Sequence, residues 1–155
     1  PYPDRTFDTV TCLAVIEHVF DPRALLDEVA RVLAPGGMLL LDTPNMRYVK
    51  HLWSLIIRRR FPVTAGDGED LRLAYDGGHL HYFTRADIED LLRESGLAPV
   101  RFLCVLPPRL RLGIRGRFAS TLSRLPGLGE LLSAEIFVLA RRESTGDTGQ
   151  QDFTT

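Results

Sequence analysis

The chain has 155 residues, 45% of them hydrophobic and 25% charged, a globular composition that excludes a disordered or fibrous chain. Nineteen basic residues against 20 acidic ones give a net charge of −1, which leaves no general electrostatic case for a nucleic-acid partner. Cys12 and Cys104 lie far apart in apolar runs and read as buried free thiols, so no disulfide framework is expected and a reducing, cytoplasmic setting is. No apolar run approaches the ~20 residues of a spanning helix, and the opening PYPDRTFD lacks the basic-then-apolar order of a secretory leader.

The run FDTVTCLAVI, Phe7 to Ile16, is almost continuously apolar from Val10 onward and reads as a strand covered on both faces. Asp21-Pro22 supplies an N-cap followed by proline at the first helical position. Leu25, Leu26, Val29, Val32 and Leu33 then recur at helical spacing, which predicts an amphipathic helix over 22–33, stopped by Pro35-Gly36-Gly37. A second buried strand runs from Met38 to Asp42 into Thr43-Pro44-Asn45, and the three pieces predict a right-handed strand–helix–strand crossover. Residues 46–60 read as a helix with Leu52, Leu55 and Ile56 on one side and Arg58, Arg59 and Arg60 at its end. Residues 61–80 read as a loop. Thr84 caps a further helix with Asp87 three positions on, Ile88, Leu91 and Leu92 form its stripe, and Gly96 ends it. Strands are expected near 99–106 and 134–141, and the tail over 143–155 is polar and expected to be disordered.

These elements predict an α/β sheet whose first strand poses a difficulty. A strand apolar on both faces belongs inside a sheet, yet its nearest neighbour along the chain covers only one edge, and bare edges are avoided or covered in natural proteins. The expectation is that further sheet belongs beside it, either because the chain is amino-terminally truncated or because a partner supplies the strands.

The stretch FDTVTCLAVIEHVFDPRALLDEVARVLAPGGMLLLDTPN, Phe7 to Asn45, closely resembles the second half of class I S-adenosylmethionine-dependent methyltransferases. There a strand beginning Phe-Asp and ending Glu-His precedes a helix closed by Arg-Val-Leu-x-Pro-Gly-Gly, and the next strand runs into Pro-Asn. HLHYFTRADIEDLLRESGL, His79 to Leu97, resembles the next entry in the small-molecule and lipid-type branch of that family. The resemblance implies a Rossmann-like sheet over residues 1–142 as a partial domain, S-adenosylmethionine as cofactor, and a small-molecule, lipid or glycan acceptor. The family's glycine-rich cofactor turn has no match in this sequence; Gly127-Leu128-Gly129 follows Pro126 and reads as a turn. The chain alone is therefore expected to be inactive. The alternative is a non-catalytic binding or scaffold module derived from a methyltransferase and paired with another chain. A hydrolase or nucleotidase lacks support, as neither G-x-S-x-G nor a phosphate-binding G-x-x-x-x-G-K occurs.

Methyl transfer from a sulfonium requires alignment, exclusion of water and, for some acceptors, removal of a proton. Sites in open α/β sheets lie beyond the carboxyl ends of the strands, which points to Ile16-Glu17-His18, to Thr43-Pro44-Asn45 and to the segment Gly77 to Phe83. His18 is expected as base or acceptor contact, since imidazole can take up a proton near neutrality; its alternative role is to orient the following loop. Glu17 is expected to face the sulfonium or acceptor hydroxyls, or else to pack against the next helix. By resemblance, Leu13 and Ala14 contact the cofactor through their backbone. Asn45 is expected to bind acceptor with its donor and acceptor atoms, or to form the turn after Pro44. His79, His81 and Tyr82 are expected to line the acceptor pocket, with Tyr82 and Phe83 as core filler in the alternative.

His79-x-His81 with His18 and Glu17 contains transition-metal ligand types, but two histidines two apart do not define a site, and no metal is expected. Between Glu94 and Glu130 the chain carries no acid, while Arg101, Arg109, Arg111, Arg115, Arg117 and Arg124 alternate with apolar residues. Residues 109–124 are thereby a candidate for peripheral contact with an anionic membrane, or a solvated insertion with its apolar side chains tucked inward. The acceptor's identity and the oligomeric state are not readable from the sequence.

Overall fold

A computed structural model describes residues 1–62, 78–105 and 127–143. Strand β1 (Phe7–Cys12), helix α1 (Pro22–Val32) and strand β2 (Leu33–Pro44) form the expected unit, with β1 and β2 parallel and Thr9 opposite Met38, Cys12 opposite Leu41. Helices α2 (Val49–Ile56) and α3 (Arg85–Glu94), strand β3 (Leu97–Cys104), a short α4 (Leu128–Leu132) and strand β4 (Glu135–Arg142) follow. The strands form one sheet in the order β1-β2-β4-β3, with β4 antiparallel to both of its neighbours.

The local signals account for most boundaries. Asp21 accepts from the Ala24 N–H at 2.9 Å, Pro22 follows it, and Leu26, Val29 and Val32 bury one face of α1. Thr84 and Asp87 form the reciprocal capping box of α3, and Gly96 takes φ 71 just beyond it. Arg23 joins α1 to α3 by donating to Glu94 at 2.6 Å. Beneath them Leu26, Leu33, Leu39, Leu41, Ile88, Leu92, Leu97 and Val138 are fully buried, each side chain contributing about 1.5–3 kcal/mol by leaving water.

The run read as one strand from Phe7 to Ile16 divides in the structure. Ala14 takes φ 50, and Ile16–His18 forms a single 3-10 turn. Nor is β1 covered on both faces, because the polar Asp8, Thr9 and Thr11 are exposed. It is an edge strand, with β2 its only partner among the described residues. Pro35-Gly36-Gly37 lies within β2 and does not precede it, as an irregularity where the register against β1 shifts. A Cβ on Gly37 would sit 2.9 Å from the Ala34 carbonyl oxygen and 3.1 Å from that of Asp8, so glycine is required where the two strands approach.

Helix α2 is shorter than the sequence suggests and buries none of its residues. Asn45 accepts the Arg47 N–H in a side-chain turn that delays the helix to Val49, and Arg59 at φ 54 follows its end. Cys12 is buried and free. The Cys104 side chain, the basic segment 109–124 and the tail from residue 144 lie outside the described residues. No helix among the described residues is long and apolar enough to cross a membrane.

Candidate active site

The site forms where β1 and β2 end together. After Cys12 the chain turns at Ala14, whose N–H donates to Asp42 Oδ1 at 2.6 Å. The turn that follows is anchored by Ile16, which is fully buried, and carries Glu17, only 2% exposed. Thr43 of β2 donates its hydroxyl to Glu17 Oε2 at 3.1 Å. The Glu17 carbonyl accepts the backbone N–H groups of Leu80 and His81 at 2.7 and 3.2 Å, which ties the segment before α3 to this turn. Phe83 in turn bridges to Asn45, and its carbonyl accepts the Met46 N–H at 3.0 Å. All of the segments expected at the strand ends therefore meet at one place.

His18 donates from Nδ1 to the Gly78 carbonyl at 3.2 Å, since that oxygen can only accept. Its Nε2 faces Glu17 Oε1 at 3.9 Å. The His79 ring lies 4.7 Å from the His18 ring, tilted by 58°. An open pocket of about 170 Å³ is lined by Ala14, Glu17, Asp42, Thr43, Pro44, His79 and Glu135. Its electrostatics are acidic. Burial, then the charges of Asp42 and Glu17, raise the Glu135 carboxyl above its ordinary range. Burial, then the same two carboxylates, push the Cys12 thiol up to about 11, which makes it a poor nucleophile. Carboxylates and an imidazole facing one pocket suit a cationic group and a proton-bearing acceptor.

Ala14, Glu17, His18 and His79 are thus brought together. Tyr82 is near, its ring centre 6.2 Å from that of His79 and 4.9 Å from that of Phe61. Leu13 lies just past β1 with its side chain 48% exposed and outside the pocket lining. His81 turns away and stacks on Phe83 at 5.9 Å. Asn45 does not fit the expected acceptor contact. Its amide donates to the carbonyls of Glu130 and Ser133 at 2.7 and 2.9 Å, its oxygen accepts from Arg47, and the residue is 1% exposed. The turn-forming alternative describes it. Asp42 and Glu135 were not singled out by the sequence reading. A charged residue closing the apolar LLLD was a signal for Asp42, whereas Glu135 enters only through the pairing of Pro44 with Glu135 across β2 and β4.

Comparison with known proteins agrees with this architecture. A ubiquinone biosynthesis O-methyltransferase from Psychrobacter arcticus is 33% identical over 92 residues, 58% of this chain and 32% of the relative. The chain thus spans about a third of the length of that curated relative. A methyltransferase structure from Thermotoga maritima superposes with a TM-score of 0.60 at 17% identity, covering 92% of this chain and 59% of that one. The Burkholderia thailandensis 1,6-didemethyltoxoflavin-N1-methyltransferase, with bound S-adenosylhomocysteine, gives 0.51 at 14% identity, covering 91% and 46%. These likenesses establish a Rossmann-like methyltransferase fold. A family model described as a methyltransferase domain matches residues 1–101, and the chain belongs to that methyltransferase family.

Proposed function

We propose that this chain carries the acceptor-facing part of an S-adenosylmethionine-dependent methyltransferase acting on a small-molecule, lipid or glycan acceptor. One observation carries the reading: the pocket lined by Glu17, Asp42, Glu135 and His79 opens at the carboxyl ends of the parallel pair β1 and β2, where ligands of open α/β sheets bind. The names of the relatives support a small-molecule acceptor, and the neighbour with bound S-adenosylhomocysteine supports the cofactor.

The residues present fit the charged end of such a cofactor. Three carboxylates facing one pocket complement a cation, and about 170 Å³ holds reacting groups, not a whole cofactor, given the ~300–1,000 Å³ of complete small-molecule sites. When bound, S-adenosylmethionine supplies a sulfonium-activated methyl group for in-line displacement. Leu13 and Ala14 contact the cofactor through backbone atoms; because the Ala14 N–H is held by Asp42, the contact from Ala14 is through its carbonyl. His18 serves as base or acceptor contact at Nε2, with Nδ1 held by the Gly78 carbonyl. His79 and Tyr82 flank the acceptor. Further sheet along the edge of β1 that no described strand covers contributes the glycine-rich turn, so the chain alone binds cofactor weakly or not at all. The same edge favours a second reading, a non-catalytic module that pairs with another chain through β1.

Cofactor-binding and methyl-transfer assays run side by side, on this chain and on a version extended upstream, separate the two. The enzyme reading expects turnover in the extended protein, and His18→Ala lowering turnover more than cofactor affinity. Micromolar cofactor binding by the short chain overturns the division of the site, and unchanged turnover in His18→Ala removes that residue from the mechanism.

A further inference from the structure

The carboxylate of Glu17 is almost wholly buried, yet among the described residues its side chain has one hydrogen bond, from the Thr43 hydroxyl to Oε2. Among the described residues the basic group within ion-pair range is His18, whose Nε2 stands 3.9 Å from Oε1, too far for a hydrogen bond. Glu17 also lines the open pocket, so a carboxylate with so few protein donors is accessible to a cation entering there. In the neutral His18 ring, donation from Nδ1 to the Gly78 carbonyl leaves the lone pair on Nε2, facing the carboxylate. Two electron-pair donors aimed at each other leave a place for a shared cation. Backbone carbonyls commonly orient metal-ligating histidines in this way.

We propose that Glu17, His18 and His79 bind a divalent first-row transition-metal ion. One ligand atom from each lies within 4.8 Å of the others. An ion about 2.0–2.2 Å from nitrogen and oxygen ligands draws them together by on the order of an ångström, which rotation of the half-exposed His18 and half-buried His79 supplies. Two imidazoles and one carboxylate suit zinc, cobalt, nickel or iron, whereas magnesium and calcium prefer oxygen alone. The backbone holds the set in advance: His79 precedes Leu80 and His81, whose N–H groups bond the carbonyl of Glu17 itself. Glu17 and His79 also line the pocket, so the ion's open positions face it and accept oxygen ligands of the acceptor. That last role rests on the methyl-transfer reading, and ion binding does not. With the ion in place His18 is an acceptor contact through the metal and not a free base.

The test is titration of the chelator-stripped full chain with cobalt(II), followed by its visible absorption, and then with zinc(II) as competitor. One ion per chain is expected, displaced by stoichiometric zinc and not by millimolar magnesium. His18→Ala and His79→Ala are each expected to weaken binding at least ~10-fold, with His81→Ala unchanged because that ring stacks on Phe83. Glu17→Gln is expected to abolish binding; if it fails to fold by circular dichroism, the two histidine variants decide. Absence of saturable binding, or equal affinity in the His18 and His79 variants, overturns the site. A chain that binds cobalt but whose extended form transfers no methyl group overturns the function alone. An extended form that methylates unchanged after chelation and ignores cobalt overturns this proposal alone.

Discussion

The backbone N–H of Ala14 reaches Asp42 Oδ1 at 2.6 Å, tying the turn just past β1 to a residue near the end of β2. Ala14 sits at φ 50, a conformation that costs an L-residue about 1–2 kcal/mol. The bond holds that strained turn in place and fixes where the chain enters the segment carrying Glu17 and His18. The mouth of the pocket is therefore set by a contact between two strand ends and not by a loop alone.

Asp42→Ala should lower stability by about 1–2 kcal/mol, because a charge-assisted bond is lost at a partly solvated site. Asp42→Asn, which keeps an acceptor, should lose less. Ala14→Gly removes the steric cost at positive φ and should stay within ~1 kcal/mol of the parent. Urea midpoints measure all three. An unchanged midpoint for Asp42→Ala means that the bond adds nothing.

Asn45 holds the other side of the site. Its amide bridges the carbonyls of Glu130 and Ser133 while its oxygen takes the Arg47 N–H. Asn45→Ala removes all three bonds at a buried position and should cost about 2–4 kcal/mol. Asn45→Asp should cost at least as much, since a carboxylate cannot donate to two carbonyl oxygens. A direct acceptor contact predicts instead a raised KM with little change in stability, so comparing KM with the denaturation midpoint separates the two roles.

How much was legible follows from the range of each signal. The capping box of Thr84 and Asp87, the Asp21-Pro22 start and the stop at Gly96 act within a few residues, and all stand where the sequence put them. The strand ends that meet at Glu17 followed from the general location of sites in parallel sheets. The insertion of β4 between β2 and β3 depends on pairings far apart in the chain, and with it went Glu135. Asn45 was misplaced because its bonding partners, Glu130 and Ser133, arrive from the distant α4 region. The pairing of His79 rather than His81 with His18 depends on how the segment lies against the Glu17 carbonyl.

Glu135 tests the acidic character of the pocket. Burial and the charges of Asp42 and Glu17 raise its carboxyl, so the folded chain resists losing that proton more than the unfolded chain does. The unfolded state therefore ionises first as pH rises through the ordinary carboxylate range, and stability falls in that window. Glu135→Gln removes the repulsion. It should raise the neutral-pH melting temperature by about 1–3 °C, a small gain because the side chain is partly solvated, and leave the melting temperature at pH 3 unchanged. An equal effect at both pH values points to packing and not to charge.

Cys12, the buried last residue of β1, reports the same field. Its thiol is raised from 9.0 to about 11, first by burial and then by Glu17 and Asp42. Below pH 9 both folded and unfolded chains keep the proton, so the group adds no pH dependence. Between pH 9 and about 11 the unfolded chain gives up its proton first, and stability falls as pH rises through that interval. At pH 8 the two-unit difference leaves about 100-fold less thiolate in the folded chain. In a Cys104→Ser background, which leaves one thiol, iodoacetamide at pH 8 should label the native protein at least about 100-fold more slowly than the urea-unfolded protein. The Glu17→Gln variant, if folded, should narrow that ratio by removing one of the two charges. Labelling of native Cys12 at the rate of the unfolded chain would mean that the end of β1 is open to solvent.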